Sequence, residues 1–158
     1  MKAPPARPTG PTAAHTIDIA AGAEAVWTIL ADFARWGEWN PLYTRSQGRL
    51  APGERIAFTV AVPGIKPTDG AATVYRVTRP ALIEYGLSNA GGLLKAFRFI
   101  DIAETAPGRC TVTNGEIMTG PLGRLVALLL GGKVASGMQA MNEALKVRAE
   151  ASQPPTMS

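Results

Sequence analysis

The longest helical pattern in the sequence is PLGRLVALLLGGKVASGMQAMNEALKVRAE, residues 121–150. Pro121 suits the first turn of a helix, where its missing N–H needs no partner, and the next proline is Pro154. In the second half, apolar residues recur at steps of three or four on one face: Val134, Met138, Met141 and Leu145. We therefore predict one helix over 121–150, about 45 Å long at 1.5 Å per residue.

The first half of this helix is apolar on almost every side. In residues 122–130 the only charged side chain is Arg124. A helix that is apolar all round needs cover on more than one side, so we expect a wide sheet to wrap it. The pair Gly131-Gly132 follows and marks the point at which the helix would bend most easily.

Length and composition indicate a single globular domain. The chain has 158 residues, of which 46% are hydrophobic and 18% charged, which is too apolar for a disordered chain. We predict one domain over 14–150, a disordered N-terminal arm at 1–13 and a disordered tail at 151–158. The sequence leaves the oligomeric state undetermined.

Charge, cysteine content and hydropathy argue against several classes of partner. The net charge is +4, but no basic run provides the clustered footprint of a nucleic-acid-binding protein. No apolar run approaches the roughly 18 residues that span a bilayer, and the N-terminal segment lacks the apolar core of a signal peptide. With Cys110 as the one cysteine, we expect a cytoplasmic protein without disulfides, bound nucleic acid or stable membrane insertion.

The sequence between the arm and the long helix predicts an antiparallel sheet. A first strand at 15–19 is followed by helical stretches at 22–31 and 33–39. Alternation and turn signals then predict six strands, at 43–50, 54–62, 70–78, 82–88, 94–103 and 109–118. Short connections force antiparallel neighbours, and we interpret Asn114-Gly115 as an interruption or bulge. The predicted fold class is α+β, with seven curved strands around the C-terminal helix and two short helices between the first two strands.

Three segments resemble the SRPBCC superfamily: AVWTILADF at 25–33, WGEWNP at 36–41 and MNEALK at 141–146. This is the helix-grip fold of START lipid-transfer domains, pollen-allergen-type ligand carriers and polyketide cyclase/dehydratases. The likeness extends over about 15–150 and is closest to bacterial members of the polyketide cyclase/dehydratase type. It implies an apolar cavity between the sheet and the C-terminal helix, a hydrophobic small-molecule ligand and no obligatory cofactor. The members differ in activity, so function has to be argued from the site.

The predicted cavity has mostly apolar walls. Trp36 and Trp39 lie at its mouth, either lining the pocket or plugging the end of the core, and we favour the plug for Trp39. The other predicted wall residues are Phe58, Val60, Tyr85, Phe97, Phe99, Asn114, Met118, Val126, Leu129, Met138 and Met141. The flexible methionines among them would suit ligands of variable shape.

Glu116, Tyr85 and Arg98 are the one candidate set for catalysis. Glu116 on an inward face would have a raised pKa and could act as a general acid or base, but an exposed or paired carboxylate explains it equally well. Phe97 and Phe99 should take the inward side of their strand, which leaves Arg98 at the surface. With the opposite facing, Arg98 and Glu116 would form an inward pair. Tyr85 is either a donor to a ligand or a core tyrosine.

We predict neither a metal site nor a cofactor, since His15, the one histidine, has no acid or cysteine neighbour at ligand spacing. The leading hypothesis is binding of a hydrophobic or aromatic small molecule. One alternative is a polyketide cyclase/dehydratase-like enzyme that uses Glu116 with Tyr85 or Arg98. Another is lipid transfer at a membrane surface, with residues 122–130 as a lid. A core without a void would instead indicate a protein-interaction module.

Overall fold

The sheet contains seven antiparallel strands in the order β1-β7-β6-β5-β4-β3-β2. A computed structural model of the chain describes residues 3–153, with the backbone alone at 88–90. The strands are β1 (Thr12–Ile19), β2 (Tyr43–Gln47), β3 (Arg55–Val60), β4 (Thr68–Thr78), β5 (Leu82–Asn89), β6 (Leu94–Ala106) and β7 (Arg109–Thr119). Each predicted strand is present, because short connections and period-two alternation together determine antiparallel neighbours.

Three helical elements complete the fold. They are α1 (Ala23–Ala31), a 3₁₀-helix (Phe33–Glu38) and α2 (Gly123–Ala151). The curled sheet with its long C-terminal helix confirms the predicted α+β helix-grip architecture. α2 continues as a helix through Gly131-Gly132. Within residues 3–153, no helix is long and apolar enough to cross a membrane.

The main core lies between the concave face of the sheet and the second half of α2. The face predicted from helical spacing is buried there through Met138, Met141 and Leu145. Trp27 and Leu30 of α1 close the same core from the side. Because successive side chains of a strand point to opposite faces of the sheet, every second residue of each strand faces this core. The same alternation determines whether a polar side chain of the sheet lies on the concave or the convex face.

The first half of α2 is exposed, contrary to the prediction that it would be wrapped on more than one side. Leu125, Leu128 and Leu129 are 52%, 83% and 66% exposed. The helix packs mainly against β1 and β7, at one edge of the sheet order, so the sheet covers one side of it only. Leu129 is therefore not a wall of an internal cavity, as the sequence had predicted.

The convex face carries a second, smaller apolar cluster of Phe97, Phe99 and Ile117, with Tyr75 packed against it. The prediction that Phe97 and Phe99 face inward is therefore wrong. They are buried because residues of the N-terminal segment lie over this face: the guanidinium of Arg7 is 4.1 Å from the centre of the Phe99 ring. Covered aromatic rings can occupy the outer face of a sheet without contacting water.

The bounds of the domain differ slightly from the prediction. Thr12 and Ala13 already pair with β7, and α2 continues to Ala151. Arg7 binds Glu84 and Asp101, so part of the predicted arm at 1–13 contacts the sheet. Residues 154–158 of the predicted tail lie outside the described residues.

The predicted interruption at Asn114-Gly115 is also wrong. The pairing of β6 with β7 runs without a shift from Lys95 opposite Thr119 to Glu104 opposite Cys110. A Cβ atom at residue 115 would lie 2.2 Å from the Phe99 ring. Glycine is thus required here by the ring that covers it, and not by a turn.

Candidate functional site

Three side chains form a row across neighbouring strands on the concave face. Tyr85 of β5 is directly opposite Arg98 of β6, and Arg98 is directly opposite Glu116 of β7. Side chains in such positions have Cβ atoms about 4.5–5.5 Å apart. The three residues predicted as a catalytic set therefore come together in the fold.

Arg98 joins this row because β6 has the facing opposite to the one we favoured from the sequence. Its residue surface is 2% exposed, so the prediction of a surface arginine is wrong. Ile100 and Ile102 continue the Arg98 side of the strand into the main core. Asp101, on the other side, continues the line of the two phenylalanines towards solvent. The alternative of an inward Arg98 beside Glu116 is the arrangement observed.

Two tyrosines surround the guanidinium of Arg98. Its Nε donates a hydrogen bond to Tyr43 Oη at 3.2 Å, and its Nη1 donates to the carbonyl oxygen of Gly115 at 3.0 Å. The hydroxyls of Tyr43 and Tyr85 are hydrogen-bonded to each other at 2.6 Å. Both ring centroids lie 5.8 Å from the guanidinium carbon, which adds a cation–π attraction. The guanidinium is therefore held by two hydrogen bonds and by the faces of two tyrosine rings.

The third nitrogen of this guanidinium, Nη2, makes no hydrogen bond to the described residues. Among the described residues, Arg98 Nη2 is buried without a hydrogen-bond partner, and so is Asn114 Oδ1. The amide of Asn114 donates from Nδ2 to the sulfur of Met141 at 3.1 Å, a weak acceptor. Asn114 lies on the same face of β7 as Glu116, two residues away. Buried polar atoms without a partner are rare in proteins, and Asn40 Nδ2, Ser46 Oγ and Asn142 Oδ1 are further examples among the described residues. Arg98 Nη2 and Asn114 Oδ1 are the two that belong to neighbouring strands of the concave face.

Burial controls the protonation of the row. It raises the pKa of the Tyr85 hydroxyl well above its ordinary value, although the charge of Arg98 lowers it in part. Burial also raises the pKa of Glu116, and Arg98 again offsets part of this. For Arg98 itself burial lowers the pKa, but Tyr43, Tyr85 and Glu116 raise it by more. The row therefore combines the cation of Arg98 with a Tyr85 phenol and a Glu116 carboxyl group whose raised pKa values both favour the neutral form.

The predicted apolar walls are only partly in place. Phe58, Met118, Met138 and Met141 are buried, while Val60 and Val126 are half-buried. Phe97 and Phe99 lie on the convex face and Leu129 is exposed, as described above, so these three are not wall residues. The aromatic rings of the interior are thus partly different from the predicted ones, since Phe97 and Phe99 are absent from the main core while Trp27, Phe33 and Tyr43 are part of it.

The two tryptophans behave differently from each other. Trp36 is fully buried and donates from its indole nitrogen to the carbonyl oxygen of Leu30 at 2.9 Å. Its ring contacts Tyr43 at a centroid distance of 5.2 Å, so it supports the tyrosine that holds Arg98. Trp39 is half-buried at the edge of the main core. Trp36 therefore acts on the polar row through Tyr43.

Tyr43 is the site residue that the sequence analysis missed. It begins β2 directly after the turn in which Asn40 Oδ1 accepts hydrogen bonds from the backbone N–H groups of Leu42 and Tyr43. It also pairs with Val60, which was a predicted wall residue. That pairing places Tyr43 on the inward side, since a residue opposite an inward position shares its face. The register comes from the structure, and the sequence by itself offered only that an aromatic residue begins the predicted strand at 43–50.

Within residues 3–153, no three side chains of His, Cys, Asp or Glu are grouped closely enough to hold a metal ion. Cys110 is buried, and burial raises the pKa of its thiol. The polar groups that the described site presents are the guanidinium of Arg98, the phenols of Tyr43 and Tyr85, the amide of Asn114 and the carboxyl group of Glu116.

Comparison with solved structures supports the fold. The START superfamily protein from Mycobacterium smegmatis is 18% identical with a TM-score of 0.71, covering 90% of this chain and 99% of that chain. The Zhui aromatase/cyclase from Streptomyces sp. R1128 is 16% identical with a TM-score of 0.67, covering 88% and 93%. Norcoclaurine synthase from Thalictrum flavum, solved with dopamine and hydroxybenzaldehyde, is 15% identical with a TM-score of 0.69, covering 91% and 88%. Such identities show a shared fold and leave the ligand open.

Comparison of the sequence with protein families identifies the group. No curated protein matches the sequence. A family model described as polyketide cyclase / dehydrase and lipid transport matches residues 11–150. This match spans β1 to the end of the long helix, and the helix-grip architecture agrees with it. The chain therefore belongs to the polyketide cyclase/dehydrase and lipid transport family, within the SRPBCC superfamily.

Proposed function

We propose that the protein binds a hydrophobic or aromatic small molecule between the concave face of the sheet and α2, with a polar group of the ligand at Arg98. The observation that carries this proposal is the buried guanidinium whose Nη2 has no partner among the described residues. A charge in a protein interior is costly unless it is fully hydrogen-bonded. A ligand that accepts from Nη2 would complete the set begun by Tyr43 and Gly115.

The surroundings of this cluster suit an apolar ligand body. α2 packs mainly against β1 and β7, and half-buried Val60, Leu87 and Val134 border the main core. Met118, Met138 and Met141 add unbranched side chains that adapt to different shapes. The cavities described in the structure open elsewhere on the surface, and Arg98, Tyr85 and Asn114 line none of them. A guest would therefore have to displace the half-buried side chains of Val60, Leu87 and Val134 to reach the polar row.

Titration with the fluorescent hydrocarbon amine N-phenyl-1-naphthylamine tests this proposal. Val134→Trp would place an indole on the inward side of α2 and should abolish saturable binding. The matched control is Leu128→Trp on the same helix, where the side chain is 83% exposed and binding should persist. Equal binding by both variants, or none by the unmodified protein, would exclude an internal site. Native mass spectrometry of protein from its host would then identify a co-purified ligand.

Catalysis is a second candidate function, favoured by the row Tyr85–Arg98–Glu116. Arg98 with the tyrosines would polarise a ketone, and the Glu116 carboxylate would take the α-proton of a β-hydroxy ketone. The same proton would then pass to the leaving hydroxyl, releasing water and an enone. Glu116→Gln should remove enone formation, followed by ultraviolet absorbance, and retain binding of the fluorescent probe. No enone with the unmodified protein would leave binding without catalysis.

Contact with a membrane surface is a third candidate, favoured by the exposed leucines of α2. Leu125, Leu128 and Leu129 project from a segment with no acidic residue between Glu116 and Glu143. Arg124 in this segment would favour anionic lipid. Flotation with vesicles of phosphatidylcholine, with and without phosphatidylglycerol, tests this candidate. An absence of binding to both kinds of vesicle would exclude it.

A further inference from the structure

We propose that the natural ligand is an organic acid, bound as its anion with the charged oxygens against Nη1 and Nη2 of Arg98. This inference rests on the proposed binding function and adds the chemical class of the ligand. It follows from the charges around Arg98 and from the donors that remain on its guanidinium.

Among the described residues, no carboxylate forms an ion pair with Arg98. Its hydrogen-bond partners are the Tyr43 hydroxyl and the carbonyl oxygen of Gly115, both neutral. The buried carboxylate of Glu84, next to Tyr85 in sequence, points to the convex face, where Arg7 and Arg76 bind it. The buried carboxylate of Glu84 therefore pairs with Arg7 and Arg76 and does not neutralise Arg98, which leaves the charge of Arg98 available to a ligand anion.

Glu116 is directly opposite Arg98 on the neighbouring strand, and its position makes it a weak counterion. Its side chain is half-buried on the neighbouring strand. Burial holds the pKa of Glu116 above its ordinary value, which favours the neutral form. A ligand anion in hydrogen-bond contact with the guanidinium would neutralise Arg98 more effectively than this carboxyl group.

The remaining donors are sufficient in number for an oxyanion. Guanidinium has five N–H bonds, of which Tyr43 and Gly115 use one on Nε and one on Nη1. The bonds left over are one on Nη1 and two on Nη2. Neighbouring nitrogens of this kind bind the two oxygens of a carboxylate in parallel. The orphaned Oδ1 of Asn114 is an acceptor and would suit a hydroxyl elsewhere on the same ligand. A cationic ligand would be repelled.

Two fluorescent probes with the same aromatic body separate this inference from the proposed function. These are 8-anilinonaphthalene-1-sulfonate, which is an anion, and N-phenyl-1-naphthylamine, which lacks the sulfonate. We expect the anion to bind at least about tenfold more tightly, as for a charge-assisted hydrogen bond. Arg98→Met should remove the preference. Arg124→Met, which removes an exposed cation near the leucines of α2, should retain it.

The outcomes distinguish the proposed internal site from the inference that its ligand is an acid. If neither probe binds, the proposed function fails and this inference fails with it. If the neutral probe binds as tightly as the anion, the internal site stands and the inference of an acid is overturned. Because Arg98→Met could unfold the protein, a second measurement uses the unmodified chain. Dodecanoic acid should displace the neutral probe at about one tenth of the concentration needed for dodecan-1-ol; equal displacement would overturn the inference.

Discussion

At the residue scale, the carboxyl group of Glu116 makes the stability of the protein depend on pH. Because burial raises its pKa in the folded state, the folded protein binds this proton more tightly than the unfolded chain. Stability from this group is therefore complete at low pH and is lost as the pH rises above the ordinary pKa of glutamate. Glu116→Gln, which stays neutral, should gain stability relative to the unmodified protein at pH 7 but not at pH 4. Urea unfolding at both values measures this, with exposed Glu143→Gln as the control; the same difference at both pH values would contradict it.

The facing of β6 was predicted wrongly from the sequence of this strand alone. Alternation correctly placed Arg98 on the side of its strand opposite Phe97 and Phe99, but we assigned the inward side to the phenylalanines. Their cover is the guanidinium of Arg7, which lies far away in sequence and could not be seen from the strand alone. Asp101, in line with the phenylalanines, was the usable signal, because a lone carboxylate marks the solvent side of a strand.

At the scale of elements, the helices and strands followed from periodicity, while the cover of α2 did not. Its bounds and its buried second half agree with helical spacing, because a single face is decided by local sequence. Which strands it packs against depends on the order and curvature of the whole sheet. The prediction that the leucines of its first half are buried on several sides was therefore wrong, because the sheet covers only one side of the helix.

Two glycines of α2 should respond to alanine in opposite ways. A Cβ atom at Gly132 would meet nothing within 4 Å, so Gly132→Ala should stabilise the protein by about 0.5–1 kcal/mol through helix propensity. A Cβ atom at Gly123 would lie 2.8 Å from the backbone oxygen of Met118, so Gly123→Ala should destabilise by about 1–3 kcal/mol through overpacking. Urea unfolding of both variants measures this. A loss of stability in Gly132→Ala would show that the pair Gly131-Gly132 needs its flexibility.

At the scale of the whole molecule, one sheet separates two apolar clusters, and the N-terminal segment stabilises the outer one. Arg7 binds the buried carboxylate of Glu84 at 2.9 Å and lies over Phe99, so Arg7→Gln should destabilise by about 1–3 kcal/mol. The control is Arg49→Gln, whose pair with Glu54 is exposed on both sides and should contribute at most about 1 kcal/mol. Since Arg98 and Arg7 lie on opposite faces, Arg7→Gln should leave the affinity for 8-anilinonaphthalene-1-sulfonate unchanged under conditions in which the protein stays folded. A large change in that affinity would mean that the probe binds the convex face. Equal losses of stability in Arg7→Gln and Arg49→Gln would mean that the contacts of Arg7 with the sheet stabilise the fold no more than an exposed ion pair does.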